Sequence, residues 1–347
     1  APLSQDTDGD GLSDGKEVRE TGTDPANRDS DGDSLRDGAE INTYSTDPRA
    51  ADTDGDGLND GAEVQSYGSD PTVADTDNDG ASDGEEVARG SDPTVREITS
   101  PAIERGEVAV DHQWKRVELG RSFSDPVVVA GPLSRNSEDP GVIRVRNMTS
   151  SGFEIRVEEY EYLDESHSRE TVGYLVLEEG RFRLNNATNV ETGSFSAGTI
   201  FPEATSVSFG NPLDEAPVVL TSVVSENESQ AVSGRVWNVT REGFDYALQE
   251  EEAGDGGHAT ETVHYVAWEP SANDLGDVTY EAAGTGYSVS DEPTSLSFDT
   301  AYERAPVFLA GMQTSDERDT ANLRLESRSD ASATVAIDEE QSADTET

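Results

Sequence analysis

The sequence predicts a mainly β protein in which an array of loops with short helices precedes tandem antiparallel β-sandwich domains. A strict 23-residue period between residues 6 and 92 predicts the array, because a fixed period is typical of repeat architectures. Alternating and continuous apolar runs after residue 103 predict strands. The second part lacks helical periodicity, which favours an all-β class there.

The array contains four copies of one unit, which begin at Asp6, Asp29, Asp52 and Asp75. The first copy is DTDGDGLSDGKE, and the others keep its carboxylates at positions 1, 3, 5, 9 and 12. A 12-residue calcium loop takes oxygens from these positions and from the backbone carbonyl of position 7, with a bidentate glutamate at position 12. The predicted ligands are Asp6, Asp8, Asp10, Leu12, Asp14, Glu17, Asp29, Asp31, Asp33, Leu35, Asp37, Glu40, Asp52, Asp54, Asp56, Leu58, Asp60, Glu63, Asp75, Asp77, Asp79, Ala81, Asp83 and Glu86.

This spacing favours calcium over two alternatives. An acidic disordered tract would not require the same five carboxylate positions four times over. Magnesium fits less well, because it prefers fewer protein ligands and keeps its waters. We therefore expect about four calcium ions, with a Kd of about 10⁻⁴ to 10⁻³ M, as in extracellular modules. Ser34 replaces the glycine expected at position 6 of the second unit, so we expect strain or weaker binding there.

The units resemble thrombospondin type 3 repeats and their prokaryotic relatives, which share the DTDGDGLSDGEE…TDP pattern, between Pro2 and Pro93. Position 8 is polar where a paired EF-hand has an aliphatic residue, and no incoming helix is expected. A short outgoing helix should end at each TDP or SDP, since proline disfavours helix in the residue before it. Units this short bury little apolar surface, so calcium is expected to stiffen the array.

The chain has 74 acidic and 24 basic residues, a formal net charge of −50 and no cysteine. Lysine occurs only at Lys16 and Lys115, and an acidic, lysine-poor chain is typical of a high-salt organism. At molar salt the Debye length falls to about 3 Å, which screens self-repulsion. The charge disfavours nucleic acid as a partner, and no apolar run reaches membrane-spanning length. We therefore expect an extracellular, cell-surface or virion-surface location.

A looser repeat follows the array. DPVVVAG at 125–131 recurs as APVVLTS at 216–222 and APVFLAG at 305–311. RVRNMTSSGFEIRVEE at 144–159 recurs as RVWNVTREGFDYALQE at 235–250, and a degenerate copy follows at 324–339. These repeats divide the chain into the calcium-binding array at 1–97 and sandwiches at 98–183, 184–271 and 272–347.

The third copy stops at Thr347, just before the place of the closing strand in the first two copies. The first residues likewise align with the linkers between array units. We expect the natural protein to continue at both ends. A neighbouring subunit that donates the missing strand is the alternative, since a sandwich without that strand exposes an unpaired edge.

The sandwich repeats resemble the H-type lectin family through the PVVV-type strand, the NxTxxGF turn and the alternating strand that follows. The family folds as a six-stranded antiparallel sandwich, often associates in threes, and binds N-acetylgalactosamine or similar sugars between subunits. The resemblance therefore implies three tandem copies that imitate a trimer. The family's sugar-holding arginine is replaced here by Pro140, Ala231 and Thr320. We therefore expect any sugar binding to differ from the family's usual mode.

Four aromatic or histidine side chains are candidate ligand contacts. Two tyrosines follow the alternating strand of the first copy, where packing is the more common role of an aromatic residue. Two histidines occupy equivalent loops in the first two copies, and an exposed loop histidine is the alternative to ligand contact. The candidates are Tyr160, Tyr162, His167 and His258.

Sequons for N-glycosylation occur at Asn147, Asn186, Asn227 and Asn238. Asn147 and Asn238 are in register between copies, which favours a framework turn over a glycan. Arginine recurs at the start of the RVRN-type strand in every copy, where it is expected to pair with a strand carboxylate such as Glu158.

Catalysis has little support in the sequence. No nucleophile elbow, zinc-protease motif or phosphate-binding loop is present. Acidic clusters such as Glu158-Glu159 recur at the same place in each copy, so we expect them to lie at solvated strand ends. The chain is therefore expected not to be an enzyme.

Two functions of different classes remain open. The first is a surface protein whose calcium-stiffened stalk presents lectin-like sandwiches for adhesion or carbohydrate recognition. The alternative is a structural subunit of an extracellular filament, pilus-like fibre or virion appendage, in which the sandwiches serve self-association. A glycan array in high salt would separate the two.

Overall fold

The computed structural model describes residues 5–98, 102–160, 163, 166–184, 188–250, 257–275, 278–285, 289–313 and 320–339. The chain divides into two compact units, Ala1–Glu97 and Ile98–Thr347. The first contains the loop array with its short helices, and the second consists of β-sheets. The predicted class, a short-helix array followed by antiparallel sandwiches, is confirmed.

Each array unit folds as a loop followed by a short helix that starts at the position-9 aspartate. The side chains of Ser13, Asn59 and Ser82 accept hydrogen bonds from N–H groups in the first turn. A residue in the left-handed conformation follows each helix and ends it. The helices are α1 (Asp14–Lys16), α2 (Asp37–Ala39), α3 (Asp60–Ala62) and α4 (Asp83–Arg89), and π-helical turns at Glu17–Thr21, Glu40–Tyr44 and Glu63–Tyr67 continue the first three.

Successive array units lock together through the glycine at position 10. The N–H groups of Gly38, Gly61 and Gly84 donate to the position-5 aspartate of the preceding unit. The distance from Gly61 N to Asp33 Oδ2 is 2.7 Å. A Cβ atom on Gly61 would lie 2.1 Å from the backbone oxygen of Asp33. Glycine is therefore required at position 10 for the units to approach this closely.

The variant Gly61→Ala tests this contact. The added methyl group overlaps the Asp33 carbonyl, so we expect the array to lose about 1–3 kcal/mol of unfolding free energy. The measurement is resistance of the array to limited proteolysis in the full chain with calcium present. Ser66→Ala, at an exposed position of the same unit, is the control. Equal resistance of both variants would show that the contact does not hold the units together.

The strands are numbered in chain order, and β1 spans the point at which the chain divides into the two units. The strands are β1 (Arg96–Ile98), β2 (Glu104–Val110), β3 (Lys115–Glu118), β4 (Pro126–Ser134), β5 (Gly141–Thr149), β6 (Gly152–Glu159), β7 (Glu170–Glu178), β8 (Gly180–Leu184), β9 (Asn189–Ala197), β10 (Thr205–Ser208), β11 (Val218–Val223), β12 (Ser233–Trp237), β13 (Gly243–Gln249), β14 (Glu261–Trp268), β15 (Ser271–Leu275), β16 (Val278–Ala282), β17 (Thr294–Ser297), β18 (Ala321–Arg328) and β19 (Ser332–Glu339).

The first two copies each form a sandwich with the same strand plan. In the first, β7 lies between β2 and β4, antiparallel to both, and the layer opposite has the order β3-β6-β5. In the second, β14 lies between β9 and β11, and the layer opposite has the order β10-β13-β12. Val172 of β7 lies in one core with Phe153, and the equivalent Val263 of β14 lies in one core with Phe244. Side chains alternate between the two faces of these strands, as their period of two predicts.

The third copy contains the hairpin β15-β16 and the sheet β17-β19-β18. Strand β18 joins β4 of the first copy by a short parallel pairing. Residues 305–311, the counterpart of the start of β4 and β11, form no strand. In the first two copies that segment pairs with the closing strand, β7 or β14. The described residues of the third copy contain no such partner, which leaves the segment without a ladder.

The three copies pack against one another. Val127 and Leu177 of the first copy share an apolar cluster with Val190 and Val266 of the second. All three copies line a common cavity of 120 Å³, to which the third contributes Leu309. The copies therefore form one packed body, and the imitation of a trimer within one chain stays a prediction.

Candidate functional site

The array loops bring the first three carboxylates of each unit together. The oxygens of Asp6, Asp8 and Asp10 lie within 4.8 Å of one another, and the same holds in the other three units. The loop is shaped by its own N–H groups, since Gly9 and Gly11 both donate to Asp6, at 2.7 and 3.2 Å. The predicted positions 1, 3 and 5 therefore converge as one group of carboxylates that could hold a cation.

Position 6 requires the left-handed backbone region in every unit. Gly11, Gly57 and Gly80 have φ values of 102°, 100° and 98°, and Ser34 has a φ of 87°. Serine adopts this conformation at a cost that glycine does not incur. The strain expected at Ser34 is therefore present in the backbone, and weaker ion binding by the second unit stays a prediction.

The position-12 glutamates are buried beside these clusters. Glu17, Glu40 and Glu63 are 0% exposed. Burial, together with the charges of Asp8 and Asp10, raises the pKa of Glu17 to about 7. Burial and the neighbouring carboxylates likewise raise the pKa of Glu40 and Glu63 to about 8. In the absence of a cation, therefore, these groups resist ionisation.

The oxygens that lack hydrogen-bond partners follow the same period. One buried oxygen of position 3, Oδ2, has no hydrogen bond in any of the four units, and neither does Oε2 of the position-12 glutamate in the first three. Buried carboxylate oxygens normally have partners, because desolvating them alone is costly. Their chemistry fits a hard cation with oxygen ligands. The unpartnered atoms belong to Asp8, Asp31, Asp54, Asp77, Glu17, Glu40 and Glu63.

The position-9 carboxylates have a second role that the sequence did not reveal. The residue at position 2 donates both its N–H and its hydroxyl to them, as Thr53 does to Asp60 at 2.8 and 2.6 Å. Thr7, Ser30 and Thr76 repeat the arrangement. Position 9 therefore braces the loop. Its direct contact with an ion, and that of the position-7 carbonyls, stays a prediction.

In the β-sheet part of the chain, residues 98–347, a network of buried ion pairs links the sandwich copies. Arg144 lies 3.1 Å from Glu158 of its own copy and 3.1 Å from Glu261 of the second copy. Arg324 of the third copy lies 3.1 Å from Glu170 of the first. The expected pairing of Arg144 with Glu158 is confirmed, and each arginine also reaches the glutamate that begins the closing strand of another copy.

The two histidines belong to this network. The alternative of exposed loop residues is wrong, because both side chains are 0% exposed. His167 Nδ1 lies 2.9 Å from Glu159 Oε1, and His258 Nε2 lies 3.2 Å from Glu261 Oε1. The expectation that Glu158 and Glu159 lie at a solvated strand end is also wrong. The arginine and histidine contacts bury their side chains, which are 8% and 1% exposed.

The structure leaves the other ligand candidates little room. Tyr160 is 0% exposed, and its hydroxyl accepts a hydrogen bond from Asn322. Tyr162 lies outside the described residues. Since Tyr160, His167 and His258 are buried, sugar contact by these side chains is not supported by this geometry.

The sequon asparagines have structural contacts. Asn147 and Asn238 adopt left-handed φ values of 49° and 50° and donate to Glu154 and Asp245, both at 2.8 Å. This is the geometry of a framework turn. Asn227 donates to the Thr260 carbonyl, and Asn186 lies outside the described residues. Glycosylation of the four stays a prediction.

The first comparison with known proteins concerns the array. The family model for the bacterial TSP3 repeat matches residues 6–27, 52–74 and 75–95, so the expected resemblance of the array is confirmed over three of the four units. The unit that is not matched contains Ser34. Within the described residues, no helix is long and apolar enough to cross a membrane.

A relative covers more of the chain. Halomucin of Haloquadratum walsbyi (strain DSM 16790 / HBSQ001) is 36% identical over 242 residues, which is 65% of this chain and 2% of that protein. The chain thus spans only a small fraction of the curated relative that it matches. No solved structure matches. The resemblance of the sandwiches to H-type lectins stays a prediction.

The variant Arg144→Met tests the network between copies. Removing the Arg144 guanidinium leaves the buried charges of Glu158 and Glu261 without this ion pair, so we expect a loss of about 3–5 kcal/mol in unfolding free energy. Arg169→Ala is the matched control, because that side chain is 72% exposed and lies 3.7 Å from Asp111, a pairing worth about 0–1 kcal/mol. Denaturant unfolding at high salt measures both. Similar losses in the two variants would contradict a structural role for the network.

The loss of stability at acid pH provides a second test of the network. Burial would raise the pKa of Glu170, but contacts from His167, Ser134 and backbone N–H groups lower the pKa to about 2. This glutamate therefore stabilises the fold fully above its unfolded pKa, about 4.3, and the contribution is lost as pH falls toward 2. We expect Glu170→Gln to flatten the decline of melting temperature between pH 5 and 2. An unchanged decline would show that this carboxylate does not govern it.

Proposed function

We propose that this protein is an extracellular, calcium-binding surface protein of a high-salt organism. In this proposal calcium stiffens the N-terminal array, which carries a body of packed β-sandwich copies. The observation that carries the proposal is the repeated set of buried, unpartnered oxygens at position 3 of all four units and at position 12 of the first three, beside converging carboxylates. The TSP3 match supports calcium as the cation.

The surface location has separate support. The matched relative is named halomucin and comes from Haloquadratum walsbyi, which accords with the acidic, lysine-poor composition. At molar salt an exposed acidic surface is screened, while a chain of net charge −50 would repel itself in dilute buffer. Neither the matched family nor the relative is named for a catalytic activity. This supports the prediction that the chain is not an enzyme.

The role of the sandwiches divides the two candidate functions. Adhesion or carbohydrate recognition rests on the resemblance to H-type lectins, and three of its four candidate side chains, Tyr160, His167 and His258, are buried. A structural role in an extracellular filament, fibre or appendage is favoured by the segment at 305–311, which has polar backbone groups but no ladder. A glycan array at high salt separates the candidates, since the structural role predicts no sugar hits.

Calcium titration of the full chain tests the proposed function. We expect about four sites with a Kd of about 10⁻⁴ to 10⁻³ M. Glu17→Gln should remove or weaken one site at least tenfold, because it replaces the buried bidentate ligand of the first unit. Glu20→Gln is the matched control, since Glu20 carries the same charge on the same short helix and is exposed. When calcium is removed by a chelator, the array should lose its protease resistance, while residues 98–347 should stay compact.

Two results would sink the calcium proposal. One is a titration that gives one site or none. The other is equal loss of binding in the Glu17 and Glu20 variants, which would mean that the array attracts calcium only by its diffuse charge.

A further inference from the structure

A groove of 1280 Å³ lies in the second unit beside the third copy. Strand β16 lines one side and residues 305–309 line the other, while Leu296 and Phe298 come from the third copy's own opposite layer. Trp268 and Leu220 of the second copy lie along it. Ile103 and Leu175 of the first copy also line it, so the groove is bordered by strand-forming segments and by apolar side chains from all three copies.

The first two copies show what occupies the equivalent place. There, β7 fills the space between β2 and β4, and β14 fills the space between β9 and β11. Among the described residues, β16 pairs only with β15, and residues 305–311 pair with no strand. The Pro306 carbonyl accepts a hydrogen bond from Arg328, and elsewhere along these two borders the described residues show no β-ladder on the groove side, where a further strand can bond.

The sequences of β7 and β14 define the chemistry of an occupant. Both begin Glu-Thr-Val and place a tyrosine two residues later, and Val172 with Tyr174 faces the core of the first sandwich. The opposite face of β7 presents Leu175 and Leu177 to the neighbouring copy. An occupant must therefore be apolar on both faces and extended.

The ion pairs between the other copies indicate which end of the occupant should carry a glutamate. Glu261 of the second copy meets Arg144 of the first, and Glu170 of the first meets Arg324 of the third. In this cyclic order the second copy contributes Arg235, which aligns with the other two arginines. A glutamate at the start of the occupying strand would face that side chain.

We propose that this groove takes one extended β-strand of closing-strand chemistry, with a leading glutamate and apolar residues on both faces. The occupant is a single extended peptide segment of that chemistry, and it completes the third sandwich by main-chain pairing on both sides. The inference goes beyond calcium binding and does not depend on it.

The test uses the full chain at high salt with a synthetic peptide of the β7 sequence, ETVGYLVLE. We expect saturable binding with one peptide per chain and a rise of several degrees in melting temperature, because the strand buries apolar area and pairs two open edges. A scrambled peptide of the same composition is the control. A peptide with its first Glu replaced by Gln should bind several-fold more weakly if the leading charge faces Arg235.

A second arm extends the chain after Thr347 with VGYLVLE. We expect the extended chain to melt several degrees higher and to lose binding of the free peptide. Stabilisation in either arm supports the groove as a strand site. Equal binding of the scrambled peptide, or failure of both the peptide and the extension to change the melting temperature, would overturn the proposal. Calcium titration of the same samples separates this failure from a failure of the array.

Discussion

The array depends on carboxylate charge that the protein itself leaves uncompensated. Backbone N–H groups satisfy position 1, the next unit's glycine and the loop satisfy position 5, and a hydroxyl with an N–H satisfies position 9. What remains without partners is one oxygen at position 3 of each unit and one at position 12 of the first three units. An isolated buried carboxylate costs several kcal/mol, so without a cation this fold is penalised in every unit. The protein's own hydrogen bonds thereby define where positive charge has to lie.

In the β-sheet part of the chain, residues 98–347, arginine side chains supply the positive charge that buried carboxylates need. Glu170 and Glu40 are both buried glutamates, yet the pKa of Glu170 is lowered to about 2 and that of Glu40 is raised to about 8. Burial opposes ionisation in both. Hydrogen bonds from histidine, serine and backbone N–H groups outweigh it at Glu170, whereas aspartates surround Glu40. Because such buried pairs are little screened, molar salt that neutralises the surface leaves this network in place.

Local spacing predicted the array well and the contacts between repeats poorly. The period and the carboxylates at positions 1, 3, 5 and 12 follow from counting, as do the alternating strands. The glycine at position 10 touches a residue 28 positions earlier, and Arg144 meets Glu261 across 117 positions. No local pattern reports such distances. The recurrence of Arg144, Arg235 and Arg324 in register was the available signal, but it indicated only a partner within the same copy.

In both parts of the chain, a repeat depends on contacts that another repeat provides. An array loop closes against the glycine of the next unit, and a sandwich closes its arginine against a glutamate of another copy. A single copy would therefore keep unsatisfied buried groups, which cost more than exposed ones. Tandem duplication supplies the partners at high effective concentration, because linkage makes each contact intramolecular. Among the described residues, the segment 305–311 of the third copy forms no ladder, and a strand beside it would supply the backbone partners that β7 and β14 supply in the first two copies.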